Sequence, residues 1–301
     1  MKKTGKRLLA AMLLFCTILI GAAGYEVMAA DEAQSTESTS GTVNSADDLP
    51  GKRIGVQLGT TGDIYVSDYE SDGSGTVVER YNKGADAIQA LKQGKIDCVV
   101  IDEQPAIKFV EQNTGIRILD EEFTLEDYAF VVAKSNTELL DKVNSALEKL
   151  EADGTIANIQ KNYIGTADEI GKFPYESKDV SHENGTLTVG TNAEFPPYES
   201  YEDGQIVGID MDIMRAVSDE LGMELKIEDM AFDSIIPAIS TGKVDIGAAG
   251  FTVTEERKKN VNFTDTYTTS KQVIIVKDDT VTSEKAGLSE KFYDNFVKDS
   301  R

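Results

Sequence analysis

From Lys52 onward the chain alternates short β-type runs with helical runs, and it does so twice. "KRIGVQ", "IDCVVID", "IRILD" and "YAFVVAK" read as strands. Between and after them "GADAIQALKQGK", "EQPAIKFVEQN", "NTELLDKVNSALEKLEADG" and "TIANIQKNYIG" carry apolar residues at helical spacing, and "GTTGDIYVSDYE" reads as a loop that turns into a helix. Residues 166–184 are polar, with Gly and Pro, and read as a linker. Beyond it the alternation resumes: strand "TLTVGT", helix "IDMDIMRAVSDELG", strand "ELKIED", helix "FDSIIPAISTGK", strand "VDIGAAG", short helix "TEERKKN", strand "KQVIIVKDD". Such alternation predicts an α/β fold with parallel sheets covered on both faces. "AIQALKQGKIDCVVID" (87–102) also echoes "IIPAISTGKVDIGAAG" (235–250), as two lobes of similar architecture would.

The ends are read separately. Residues 1–30 combine a basic start, an apolar run and the small-residue stretch "VMAA", the pattern of a cleaved signal peptide. Residues 31–49, rich in Ser, Thr and acid, are expected to be a disordered spacer. The net charge is −23, from 30 basic and 53 acidic residues; cleavage would leave 26 and 52. A surface this acidic repels phosphate backbones, which argues against nucleic acid as a partner. Of the two cysteines only Cys98 lies beyond the signal, so no internal disulfide is available to the mature chain. Cys98 sits in an apolar strand and reads as core.

"GTNAEFPPYE", "GIDMDI", "FDSIIPAISTGKVDIGAAGFTVTEERKKNVNFTD", "GKRIGVQLGTTGD", "GKIDCVVID" and "LLDKVNSALEKLEADGTIANIQKNYIG" together resemble the solute-binding proteins of polar amino-acid ABC transporters. These include the glutamine-, histidine- and arginine-binding proteins. The resemblance covers residues 50–165 and 184–278, and it implies a two-lobed, type II periplasmic-binding-protein-like fold. In that family the segment like 184–278 comes first. Here it comes second, so the chain resembles a circular permutation in which residues 166–184 join the family's usual ends. As a flexible coil 19 residues span on the order of 24 Å, and domain termini often lie close together. The implied layout is lobe two over 50–127, lobe one over 128–278, and a tail over 279–301. "YAFVVAK" is then expected to be the single covalent connection between the lobes and "KQVIIVKDD" the second crossing strand, cut just beyond its end, with a looser hinge than in an unpermuted relative.

A free amino acid is a zwitterion, so a site for it needs a cation, an anion and a side-chain pocket. Carried over by the resemblance, Arg257 grips the α-carboxylate through the fork of its guanidinium. Asp102, at the end of a buried strand, receives the α-ammonium, although it would serve equally as an N-cap for the helix from Glu103. Gly250 offers a carbonyl, Thr252 a hydroxyl, and Thr60 and Thr61 open a helix whose N–H groups favour a carboxylate. Phe195 and Phe232 sandwich the ligand's side chain, while Asn192, Gln57, Ile101, Glu194 and Tyr198 shape specificity. Gln57 and Ile101 stand where glutamine binders carry Lys and His, which tells against glutamine. Glu194 and Asp233 are placed to meet a cationic side chain.

The resemblance implies a secreted, extracytoplasmic protein that closes over a polar amino acid and delivers it to a membrane permease. It implies no bond chemistry, no cofactor and no metal. "AGLSEKFYDNFVKDSR" resembles the lead-in to a permease domain in binding protein–permease fusions. Two rivals stand beside this reading. One is a cyclohexadienyl dehydratase-like enzyme of the same fold, with Glu194 as its proton-transfer acid. The other is an amino-acid sensor domain of a membrane receptor.

Overall fold

The computed structural model describes residues 42–121 and 124–278. The expected signal peptide over 1–30 and the tail over 279–301 lie outside the described residues. The expected spacer is shortened from its C-terminal side. Residues 46–48 form a 3₁₀ turn, and Val43 and Leu49 are buried against Ile54 and Val276. Two apolar side chains in an otherwise polar stretch suffice to dock it. Residues 31–41 are outside the described part.

The chain forms β1 (Arg53–Gln57), α1 (Thr61–Ser67), β2 (Val77–Tyr81), α2 (Gly84–Lys92), β3 (Cys98–Asp102), α3 (Glu103–Gln112), β4 (Ile116–Ile118) and β5 (Thr124–Ala133). There follow α4 (Thr137–Ala152), α5 (Thr155–Ile164), β6 (Thr186–Thr191), β7 (Glu194–Phe195), β8 (Glu199–Glu202) and β9 (Gln205–Val207). The remainder is α6 (Ile209–Leu221), β10 (Glu224–Asp229), α7 (Phe232–Ser240), β11 (Ile246–Gly247), α8 (Glu255–Lys258) and β12 (Val261–Lys277).

The main sheet has the strand order β10-β6-β11-β5-β12-β3-β1-β2, with β4 also on β12. Its two flanks are parallel: β10 and β11 beside β6, and β2 and β3 beside β1. At the centre β5 and β12 run antiparallel to each other and to their outer neighbours. Alternation alone predicts parallel strands throughout. The departure comes from β5 and β12, which pass from one flank to the other rather than returning through a helical crossover.

β12 pairs with β5 from Val261 to Gln272 and with β3 from Gln272 to Ile275; its last residues also face β4. Two strands, β5 and β12, therefore run between the flanks, and they take up most of the "YAFVVAK" and "KQVIIVKDD" runs. Register shifts near Phe263, Thr266 and Thr268 break the β5–β12 ladder. Irregularities of this kind bend and twist a strand pair locally.

All five residues of β3 are buried, and their side chains alternate between its two faces as the pleat requires. Cys98 and Val100 join the cluster with Val56 and Val66, while Val99 and Ile101 join the one with Leu91 and Phe109. Both faces are thus covered, and burial pushes the Cys98 thiol up to about 12. Residues 166–184 form no helix or strand, yet they are pinned. The Gly171 and Phe173 N–H groups donate to the Asn162 carbonyl and Oδ1, each at 2.9 Å. Tyr175 Oη donates to Asp219 at 2.7 Å, and the Lys178 N–H donates to the same oxygen at 2.8 Å. A second sheet, β7-β8-β9, folds the "EFPPYESYEDGQIV" segment. Its strands are too short to show a period in the sequence.

Candidate functional site

Where the two flanks meet, a cavity of about 10 Å³, roughly the room for one water, opens between their loops. Gln57, Thr60, Thr61 and Asp102 line it from the β1–β3 side. Asn192, Phe195, Glu199, Phe232 and Gly250 line it from the other. Eight of the fourteen residues that the resemblance places at the site are in this lining, although they come from both halves of the chain.

The flanks are tied across the cavity. Gln57 Nε2 donates to Asn192 Oδ1 at 2.8 Å, and the Thr61 and Thr252 hydroxyls lie 2.7 Å apart. The Thr60 hydroxyl donates to the Gln57 carbonyl at 2.8 Å, which holds the β1–α1 turn closed.

Arg257 and Thr252 stand just behind the lining. Thr254 caps α8, accepting from the Arg257 N–H at 3.2 Å, and this turn carries the arginine inward. The side chain is buried, with its guanidinium 5.4 Å from the ring centres of both Phe232 and Phe251. Nη1 donates to the Thr252 carbonyl at 2.9 Å and Nη2 to the Gly59 carbonyl, across the cavity, at 3.1 Å. Of five N–H groups, two are used in this way among the described residues. Burial lowers the guanidinium's pKa, against the opposing pull of Glu126 and Asp102.

Asp102 ends β3 and begins α3, but its side chain makes no capping bond. It accepts the Tyr128 hydroxyl instead. Burial raises its pKa, with that hydroxyl opposing. Beside it is Glu126, which the sequence reading passed over. Glu126 accepts from the Thr252 hydroxyl at 2.6 Å and from Gln272 Nε2 at 3.3 Å. Burial, then the neighbouring Asp102 charge, pushes it up to about 8. Asp210, at the start of α6, accepts the Gly250 N–H at 2.9 Å and the Tyr267 hydroxyl at 2.6 Å; burial raises it to about 7. The sequence signal for these acids was weak but present: "TLEDYAF" and "GIDMDI" place carboxylates in apolar runs.

Four expected residues lie elsewhere. Glu194, the acid of the dehydratase reading, pairs with Lys83 at 2.5 Å on a partly exposed edge. Tyr198 is buried behind Phe195, with its ring edge-on to Tyr128 at 5.2 Å. Asp233 opens α7 beside Gly59. Ile101 is core, against Gly84. Among the described residues no group of His, Cys, Asp and Glu has a metal-holding arrangement, and no helix is long and apolar enough to cross a membrane.

The model of the bacterial extracellular solute-binding proteins, family 3, matches residues 74–166 and 187–297. The arginine-binding protein ArgT of Corynebacterium glutamicum is 44% identical over 84 residues, covering 28% of each chain. The arginine-binding extracellular protein ArtP of Bacillus subtilis is 40% identical over 93 residues, 31% of this chain and 36% of that one. The L-cystine-binding protein TcyJ of Escherichia coli K12 is 30% identical over 135 residues, 44% of this chain and 50% of that one. The chain thus spans half or less of the length of these relatives. An ancestral arginine-binding protein bound to glutamine shares 49% identity over 27% of this chain and 36% of its own, at a TM-score of 0.27. The family model matches well over half of the residues, in two blocks on either side of the linker, and the chain belongs to the bacterial extracellular solute-binding proteins, family 3.

Proposed function

We propose that this chain binds a polar amino acid outside the cytoplasm and delivers it to the permease of an ABC transporter. One observation carries the reading. A buried carboxyl, Asp102, lines a cavity formed by both flanks of the sheet, and a buried guanidinium, Arg257, lies just behind that lining. A zwitterion needs this pair: Arg257 to take the α-carboxylate by two parallel hydrogen bonds, and Asp102, ionised by the incoming charge, to take the α-ammonium. Thr61, Thr252 and the Gly250 carbonyl supply neutral partners, and Phe195 and Phe232 flank the side chain. The names of the relatives, arginine- and cystine-binding proteins, support the same ligand class.

A cavity of about 10 Å³ is far too small for an amino acid. Entry therefore requires the flanks to part, breaking the Gln57–Asn192, Thr61–Thr252 and Arg257–Gly59 bonds. β5 and β12 serve as the hinge, bending at their register shifts. The flanks are then the two lobes, and the circularly permuted order of the segments is part of this proposal. The pinned residues 166–184 support it, since they close the chain along α5 and α6 on one side of the hinge.

Thermal unfolding of the full chain against each of the twenty amino acids tests the reading. A ligand at a hundred times its Kd adds about 2.7 kcal/mol, a shift of several degrees for a chain of this size. A shift with one or a few polar amino acids is the expected result, and a flat panel overturns it.

A further inference from the structure

Two buried carboxyls face each other beside the cavity: Asp102, at the end of β3, and Glu126, on β5. Asp102 lines the cavity, and the amino-acid-binding reading gives it the ligand's α-ammonium. Glu126 is not in the lining, and that reading leaves it without a task. It stands two residues before Tyr128, so the pleat of β5 turns both side chains to the same face, toward Asp102.

The donors around the pair are unevenly placed. The Tyr128 hydroxyl serves Asp102 Oδ1. Thr252 Oγ1 and Gln272 Nε2 both serve Glu126 Oε2, at 2.6 and 3.3 Å. Glu126 Oε1 is buried and has no donor among the described residues. Two carboxylates packed together out of water repel each other, and one shared proton relieves this by making one of them a donor. The other groups facing Glu126 do not take the proton's place. Arg257 on α8 is turned to the Thr252 and Gly59 carbonyls, Tyr128 on β5 gives its hydroxyl to Asp102, and Thr252 and Gln272 are neutral. Asp102 faces one more acid, Glu199 on β8.

We propose that Glu126 is a positioning residue that holds the pair's proton while the amino acid is bound, and so leaves Asp102 ionised for the α-ammonium. The inference rests on the amino-acid-binding reading. Without ligand, the two carboxyls share the proton. When the ammonium arrives, any O–H bond on Asp102 breaks as one forms on Glu126 Oε1, which then donates to Asp102. The proton stays within the pair, and none passes to solvent. Thr252 and Gln272 remain on Oε2 throughout, so the transfer disturbs neither donor.

The test is calorimetry on the full chain between about pH 6 and pH 8, in two buffers of different ionisation enthalpy, which counts the protons exchanged per ligand. The probe is L-arginine, or the tightest binder of the twenty amino acids if arginine gives no heat. Wild type is compared with Glu126→Gln and Glu126→Leu. Leucine offers neither an oxygen for the proton nor a donor, so Asp102 must hold the proton alone and give it up to solvent. Glu126→Leu should therefore release about one proton more per ligand than wild type, and its affinity should weaken by up to about tenfold per pH unit as the pH falls. Glu126→Gln carries a fixed donor in place of the proton and should match the wild-type count, a rescue that a merely structural role would not produce. A Leu variant with the wild-type proton count and pH profile overturns the proposal, and so does a Gln variant that releases the extra proton. Should the Leu variant not fold, infrared difference spectra of wild type and Glu126→Gln decide. The carboxylic-acid carbonyl band should persist in liganded wild type and be missing from the liganded Gln variant; the same band in both places the proton elsewhere and overturns the proposal. If wild type binds none of the twenty amino acids, the functional reading itself falls, whereas binding with the wrong proton count removes only the role of Glu126.

Discussion

The hydroxyls of Thr61 and Thr252 lie 2.7 Å apart across the cavity, although 191 positions separate them in the chain. Thr252 also donates to Glu126 at 2.6 Å. This one hydroxyl therefore links the β1–β3 flank, the β11 side and the central strand β5. Thr252→Val keeps the shape and removes the link. A buried acid that loses a donor costs about 1–3 kcal/mol, and the midpoint of urea unfolding should fall accordingly. An unchanged midpoint would show that the Thr252–Glu126 bond has no net value.

Arg257→Lys retains the charge but loses the fork and the planar stacking on Phe232 and Phe251. The amino-acid-induced rise in Tm should disappear, while the unliganded Tm drops only modestly. A variant with the full ligand-induced rise would remove Arg257 from the carboxylate site.

Asp210 and Glu126 make stability pH-dependent in a definite direction. Both hold their protons more tightly folded than unfolded: Asp210 at about 7 against 3.8, Glu126 at about 8 against 4.5. Between those values the native state binds more protons, so stability falls as pH rises from about 4 to about 8 and levels off above. Asp210→Asn should flatten the lower part of this slope in denaturation curves taken at successive pH values. A parallel slope in the variant would assign the dependence to other groups.

Gly208 has φ 136°, and a Cβ there would sit 2.1 Å from the Tyr198 carbonyl oxygen. That oxygen accepts the Asp210 N–H at 3.0 Å, so it has little freedom to move. Gly208→Ala should cost roughly 3 kcal/mol or more, displacing β8 and the start of α6 together. Near-wild-type stability on chemical denaturation would contradict this tight approach.

Most of the elements were legible in the sequence, because helical and strand periods are local properties. The "NTELLDKVNSALEKLEADG" helix and the apolar run of β3 are of this kind. The motifs around Arg257 and Asp102 also singled out two charged residues that the structure buries. What the sequence could not show depends on distant segments meeting. β12 became a 17-residue strand spanning both flanks because β5, β3 and β4 offered it partners. Residues 166–184 look like free linker by composition, yet they are held by Asn162 and Asp219. Glu199 reads as one acid among 53. Only the pairing of β8 with β7, and the closing of the two flanks, takes its carboxyl out of water and leaves it without a donor. Periodicity records which face of an element is apolar, whereas the environment of a charged group is decided by everything that folds around it.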